Sequence, residues 1–359
     1  MIASYALALA AGAVQGPPPP IVEGQRRPPM ATLIDFVPGA ASCDGQPVAP
    51  ILVERPNPGA SSVPIVTDGT PTALNFRIDE SGRPLSIVSA GRGGAPVEVT
   101  AAFAAWRFAP GAPRTGCTIA FAREAVSVET GPAALVHRAL ALPHERTGAE
   151  EAIGQRLAAE GGDCFTPTPP EVRLRGFPDF KAIAQPPGTS SYAMIGFDID
   201  RRGKPVRVRV LSSDGNAALD RASIDAVRRS RFAPKARTGC SYPYHRRQQI
   251  ALAPPPPPPL ESFRKPEATC AIDPDTEWTL PPRLTFPEPF RRRAIEGWAV
   301  IGYDVAPWGD TGNVTVLASE PAAAFGVEAL RIVRMAKRKP SSTGATGCVE
   351  RVVFRMPAE

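Results

Sequence analysis

The sequence predicts an α+β protein of three tandem two-layer modules, each a small antiparallel three-stranded sheet with one packed helix in the order β-β-α-β. Three observations predict it. Six cysteines form three pairs separated by 74, 76 and 78 residues: Cys43 to Cys117, Cys164 to Cys240, and Cys270 to Cys348. A glycine follows the first cysteine of each pair after 39 residues, at Gly82, Gly203 and Gly309. Each second cysteine closes a Thr-Gly-Cys triplet. A period of about 110 residues is domain-sized rather than that of a short-repeat solenoid. The 359 residues also exceed what one core organises.

The elements are clearest in the second repeat. Tyr192–Asp200 alternates as a half-buried strand. Asp200-Arg201-Arg202-Gly203-Lys204-Pro205 supplies turn chemistry: a carboxylate for backbone amides, a glycine for positive φ, and a proline to fix the exit. Val206, Val208 and Val210 then alternate with Arg207 and Arg209, the pattern of a strand with one wet face. A helix follows with Leu219, Ala222, Ala226 and Val227 on one face, and it ends before Pro234. Beyond Cys240 a third strand runs to about Leu252. A shift of 106 places Phe197 on Tyr303, Val208 and Val210 on Val314 and Val316, and Leu219 and Val227 on Phe325 and Val333. The first repeat is a degenerate copy that keeps Asp79, Gly82, Pro84 and Trp106-Arg107-Phe108-Ala109-Pro110.

These registers divide the chain into a signal peptide (1–16), a Pro-rich segment (17–42), repeat one (43–126), a helical connector (127–163), repeat two (164–252), a Pro-rich linker (253–269) and repeat three (270–357). In the connector, Thr147-x-x-Glu150 reads as a capping box. Proline accounts for 44 residues, with runs at Pro17–Pro20 and Pro254–Pro259 that read as semi-rigid polyproline II spacers.

One cysteine pair per repeat, at spacings unsuited to a metal, predicts three disulfides and an oxidising compartment. The apolar Met1–Val14 run ending near Ala11-x-Ala13 reads as an export signal. It is too short to span a bilayer, and no transmembrane span is expected. Charge is uneven: residues 43–126 hold seven basic and seven acidic side chains, whereas 164–252 hold sixteen and seven. The basic second repeat could therefore meet an anionic envelope polymer. Nucleic acid is disfavoured by export and by the lack of interleaved aromatics.

No phosphate loop, nucleophile elbow or zinc-protease motif occurs. Ser212-Ser213-Asp214 reads as cap and turn chemistry. Asp79 and Asp200 recur, but the third copy has Ala306, so a metal or acid role fails there. No catalytic residue, metal or cofactor is expected. The competing reading is an envelope enzyme with its site in the connector, near His137 and His144.

The third repeat carries Phe286-Pro287-Glu288-Pro289-Phe290 through Trp298, then Gly309, Val314-x-Val316, Ser319 and the Phe325 helix. It resembles the TonB C-terminal domain. The second repeat is similar, with Gly203, Val208-x-Val210-Leu211-Ser212-Ser213 and Arg231-Phe232-x-Pro234. The resemblance implies a periplasmic or secreted protein of a Gram-negative bacterium. It further implies binding of an extended peptide, such as a segment of an outer-membrane transporter, by strand addition at a sheet edge. A transducer in that family needs a transmembrane helix to reach its motor. The expected edge is the last strand of repeat three: Val349, Glu350, Arg351, Val352, Val353, Phe354 and Arg355.

Overall fold

A computed structural model describes residues 31–357 apart from 66, 92, 144–147, 247, 271–277 and 281–282. The Met1–Val14 run, Pro17–Pro20, Thr147 and His144 lie outside the described residues.

Module one comprises β1 (Thr32–Pro38), β2 (Ala41–Cys43), β3 (Thr72–Ile78), β4 (Pro84–Ser89), α1 (Val97–Ala104) and β5 (Arg114–Ser127). Two connector helices follow, α2 (Ala133–Ala141) and α3 (Glu150–Glu160). Module two comprises β6 (Val172–Leu174), β7 (Ser191–Ile199), β8 (Pro205–Ser213), α4 (Ala217–Arg229), β9 (Arg231–Phe232) and β10 (Arg237–Arg246). Module three comprises α5 (Glu288–Arg292), β11 (Gly297–Val305), β12 (Thr311–Glu320), α6 (Ala323–Met335) and β13 (Ala345–Phe354).

Modules two and three each hold an antiparallel sheet in the order β8-β7-β10 or β12-β11-β13, with the helix on one face. On β8, Val208 and Val210 pack with Leu219 and Val227 of α4, while the side chains of Arg207 and Arg209 are exposed. Full burial of a side chain such as Leu219 stabilises by about 1.5–3 kcal/mol. Asn216 caps α4 by accepting the Leu219 N–H at 3.1 Å. The turn glycines Gly82, Gly203 and Gly309 have φ of 80°, 79° and 96°. A Cβ at each would strike the carbonyl of Phe108, Phe232 or Arg338, so close approach and positive φ both demand glycine. In module three Val314 is buried beneath α6, but Val316 is 39% exposed. It faces Gly326 of the helix, which has no side chain to cover it.

All three cysteine pairs are bonded within their modules, with Cα–Cα distances of 3.8, 5.0 and 5.0 Å. The first is shortest because Cys43 and Cys117 face each other directly across β2 and β5. Each bridge ties a module's leading segment to the start of its third strand.

Three features differ from the sequence reading. First, β1 and β2 join the sheet of module one, so that module begins near residue 32 rather than at Cys43. Second, α3 starts at Glu150 with Ala149 in the cap position, so Glu150 opens the helix and does not stand three residues inside it as a capping box requires. Third, Pro254–Pro259 is not a free spacer. Trp298 and Val300 project from the face of β11 away from α6, and both are buried there. The Pro255 carbonyl accepts the Trp298 indole N–H at 2.8 Å, and the Pro258 carbonyl accepts Arg351 Nη2–H at 3.0 Å. A polyproline strip has free carbonyls and flat apolar faces, and it suits such a site.

The modules dock on one another. Phe103 of α1, Phe290 of α5 and Phe325 of α6 lie in one continuous core shared by modules one and three. In module two, α2 and α3 cover the sheet face opposite α4, where Met194 is buried against Val136 and Ile153. The segment 54–57 touches all three modules. Glu54 accepts the Ser190 N–H at 3.1 Å, and Asn57 Oδ1 accepts Arg293 Nη2–H at 3.0 Å.

Candidate strand-binding edge

The third strand of each module has an inner edge, paired to the first sheet strand, and an outer edge. The three outer edges differ, and backbone orientation follows from module one. There the Ala120 carbonyl faces outward and accepts the Gly39 N–H at 2.8 Å, while the Gly116 carbonyl accepts the Asp44 N–H at 3.2 Å. Ala120 lies three residues beyond its cysteine, as do Pro243 and Arg351. Alternation therefore turns the backbones of Val349, Arg351 and Val353 outward, and those of Glu350 and Val352 toward β11.

In module one the outer edge is filled by the chain itself. β1 runs antiparallel to β5, with Val37 opposite Ala122, Asp35 opposite Glu124 and Leu33 opposite Val126. In module two the edge carries Pro243, opposite Met194, at the outward-facing position. Proline has no N–H to offer there, and it blunts the edge without costing β10 a bond to β7.

In module three Thr269 and Cys270 both donate to the Thr346 carbonyl, at 3.0 and 3.1 Å, and cover only the start of β13. Among the described residues no strand pairs with the outer edge from Val349 to Val353. Val352 and Phe354 point into the core, whereas Val353 is 37% exposed on the opposite face. β13 ends at Phe354, so Arg355 falls beyond the strand. The core-side flank of the edge is Glu350, Tyr303 and Arg338. Burial pushes the Glu350 carboxyl up and the Tyr303 phenol up to about 12. Arg338 donates to the Tyr303 hydroxyl at 2.8 Å and lies over the Trp278 ring. This flank offers a partner a cation, an aromatic face and a carboxyl group ready to hydrogen-bond.

The connector histidine has a packing role. His137 lies on the buried face of α2, with Nδ1 2.9 Å from Ser212 Oγ and Nε2 4.0 Å from Glu160. Burial lowers its pKa. A groove of about 1220 Å³ between modules one and three is lined by Phe36, Pro96, Val97 and Phe286, and a pocket of about 110 Å³ in module two lies beside Tyr242 and Tyr244. His137 lines neither. Among the described residues no cluster of His, Cys, Asp and Glu has metal-binding geometry. Trp106 and Trp298 are buried, and Trp308 is exposed with its indole N–H on Asp310 Oδ2 at 2.9 Å.

Two features of the edges escaped sequence reasoning. The sequence reading groups residues 32–42 with a Pro-rich segment, although the apolar run Leu33, Ile34, Phe36 and Val37 marks a strand. Pro243 sits inside a strand pattern, which itself signals an edge.

A small sheet-and-helix unit with an exposed strand edge defines a protein-interaction module. Residues 178–251 and 282–355 each match the family model of the Gram-negative bacterial TonB protein C-terminal domain. These segments span the sheets and helices of modules two and three, and those modules belong to the TonB C-terminal family. Domains of this family are protein-interaction modules of the Gram-negative envelope that engage outer-membrane proteins. No curated protein matches the chain. Among the described residues no helix is long and apolar enough to cross a membrane.

Proposed function

We propose that the chain is an exported, non-enzymatic binding protein of the cell envelope, and that module three captures an extended peptide segment as an added strand on β13. The partner is a protein of the outer membrane or periplasm, such as a transporter with an extended terminal segment. One observation carries this reading: of three equivalent edges, one is filled by an antiparallel strand, one is blunted by Pro243, and the third has neither among the described residues. The filled edge supports strand addition as a geometry this fold accommodates. Backbone bonds to Val349, Arg351 and Val353 would supply affinity, and the flanking Glu350 and Arg338 would supply selectivity. Three disulfides suit an oxidising compartment.

The test is photo-crosslinking in cell envelopes from a reactive residue placed at Thr346 or Arg355, with and without Val353→Pro. Val353→Pro removes an outward donor and spares the β11 ladder, whereas Val352→Pro would break that ladder. The expected result is a crosslinked envelope protein that Val353→Pro abolishes while the chain stays folded and oxidised. An undiminished crosslink in a folded Val353→Pro protein overturns strand capture at this edge.

A further inference from the structure

We propose that the basic end of module two is a docking surface for an anionic lipid bilayer. Three strips of chain lie side by side there. The Phe232 N–H donates to the Gly203 carbonyl at 2.9 Å, which joins β9 to the Arg201–Lys204 turn. On its other side β9 pairs with β6, Val172 opposite Phe232 and Leu174 opposite Arg231. The last turn of α4 feeds directly into β9. Arg173, Arg201, Arg202, Lys204, Arg229 and Arg231 are all exposed on this end.

Few acids oppose them. The Asp200 carboxylate is held by the N–H groups of Arg202 and Lys204, at 2.8 Å each, and Asp225 pairs with Arg228 at 3.3 Å. Glu171 on the strips and Asp179, two residues beyond Phe177, are the other exposed carboxylates nearby in sequence. The sister turns, Glu80-Ser81-Gly82-Arg83 in module one and Pro307-Trp308-Gly309-Asp310 in module three, have no basic residue at the positions of Arg201 and Arg202. Folding therefore does not require these two cations, and they are additions to a shared scaffold.

Charge alone would suit any polyanion. The second observation separates a bilayer from a soluble polymer. Leu174 and Phe177, amid these cations, are each 56% exposed. Arg229 Nη2–H donates to the Phe177 carbonyl at 2.9 Å and fixes the loop to the helix end. A leucine and a phenylalanine beside Arg231 and Arg229 match the interfacial layer of a membrane, where apolar tips enter the acyl boundary and guanidinium groups meet phosphates. A hydrated polymer would leave both side chains in water.

The test uses the full oxidised chain with vesicles of phosphatidylglycerol and phosphatidylcholine, with phosphatidylcholine vesicles alone, and with soluble dextran sulfate. The expected result is sedimentation with the anionic vesicles only. It should fall at least tenfold in the Leu174→Ser/Phe177→Ser variant and in the Arg201→Glu/Arg202→Glu variant, each verified as folded by near-UV circular dichroism. The apolar variant should leave dextran sulfate binding unchanged. No binding to anionic vesicles overturns the proposal. So does equal vesicle binding by the apolar variant, which would assign the surface to a soluble polyanion.

Discussion

Arg293 of module three, only 1% exposed, places its Nε 3.7 Å from Glu54 Oε1 of module one. The same guanidinium bonds to Glu98 on α1, and the backbone of Glu54 accepts the Trp106 indole N–H at 2.8 Å. Residues of two modules nearly 240 positions apart thus share one buried charge cluster, and the Ser190 N–H ties module two to it.

Removing one partner from a buried cluster strands the others. Arg293→Met should leave Glu54 without Arg293 and Glu98 with Arg292 alone, and destabilise the protein by about 3–5 kcal/mol. Urea unfolding of the oxidised chain checks this. A fall within 1 kcal/mol would mean that the cluster is solvated. Arg291→Met serves as the control, because that side chain is exposed and pairs only with Glu288 of its own helix; it should change stability by roughly 0.5 kcal/mol or less.

Burial, only partly opposed by Arg293 and Arg138, pushes the Glu54 carboxyl from 4.5 up to about 7. The folded state therefore holds this proton more tightly than the unfolded chain. Its stabilising effect is complete below about pH 4.5 and is lost as pH rises through about 7, a change of roughly 3 kcal/mol at most. Glu54→Gln should remove that share of the slope. The urea midpoint of variant minus wild type, followed from pH 4.5 to 8, is the measurement; a difference independent of pH rules the titration out.

Much of the fold was legible because its signals are local or periodic. Cysteine spacing, the turn glycines and the alternation of Val208 and Val210 with Arg207 and Arg209 each follow from short-range geometry. The burial of Val208 and Val210 beneath Leu219 and Val227 came from two periods, 2 and 3.6, read on adjacent segments. What was not legible depends on partners distant in sequence. Nothing in Thr32–Pro38 names β5 as its neighbour. Nothing in Glu54 or Arg293 distinguishes them from surface charges until the modules dock. Proline runs report their own stiffness and not the Trp298 surface they cover. Of the site, the strand and its inward side chains were readable from alternation. The reason to prefer module three over its sisters required all three outer edges in view.

The occupied edge of module one makes a separate prediction. Deleting residues 1–38 should expose β5 from Phe121 to Ser127 and cause self-association, because an unprotected edge pairs with its copies. A synthetic peptide of residues 31–40 added in trans should restore the monomer, as read by size-exclusion chromatography with light scattering. A deleted protein that stays monomeric without peptide would refute the protective role of β1.

Pro243 should act as a gate on the second edge. Pro243→Val restores an outward N–H on β10 without disturbing the ladder to β7, so folding stability should change by about 1 kcal/mol or less. A new concentration-dependent dimer, or a second peptide-binding equivalent, is expected in calorimetric titration. Unchanged stoichiometry and unchanged mass would remove Pro243 from the account of why the edges differ.

The position of Cys348 has a mechanical consequence. A strand seated on β13 runs along it, so tension on the partner would load the backbone bonds in shear, many at once, and not one after another as in a peeled hairpin. Cys348 lies near the start of β13, and its bridge leads to Cys270, where the linker from module two arrives. Traction on the edge would pass through a covalent clip into the proline strap on Trp298. From there it would reach module two and, through the joined cores, module one. The chain would respond to a pull as one stiff lever of three linked parts and not as beads drawn apart on a string.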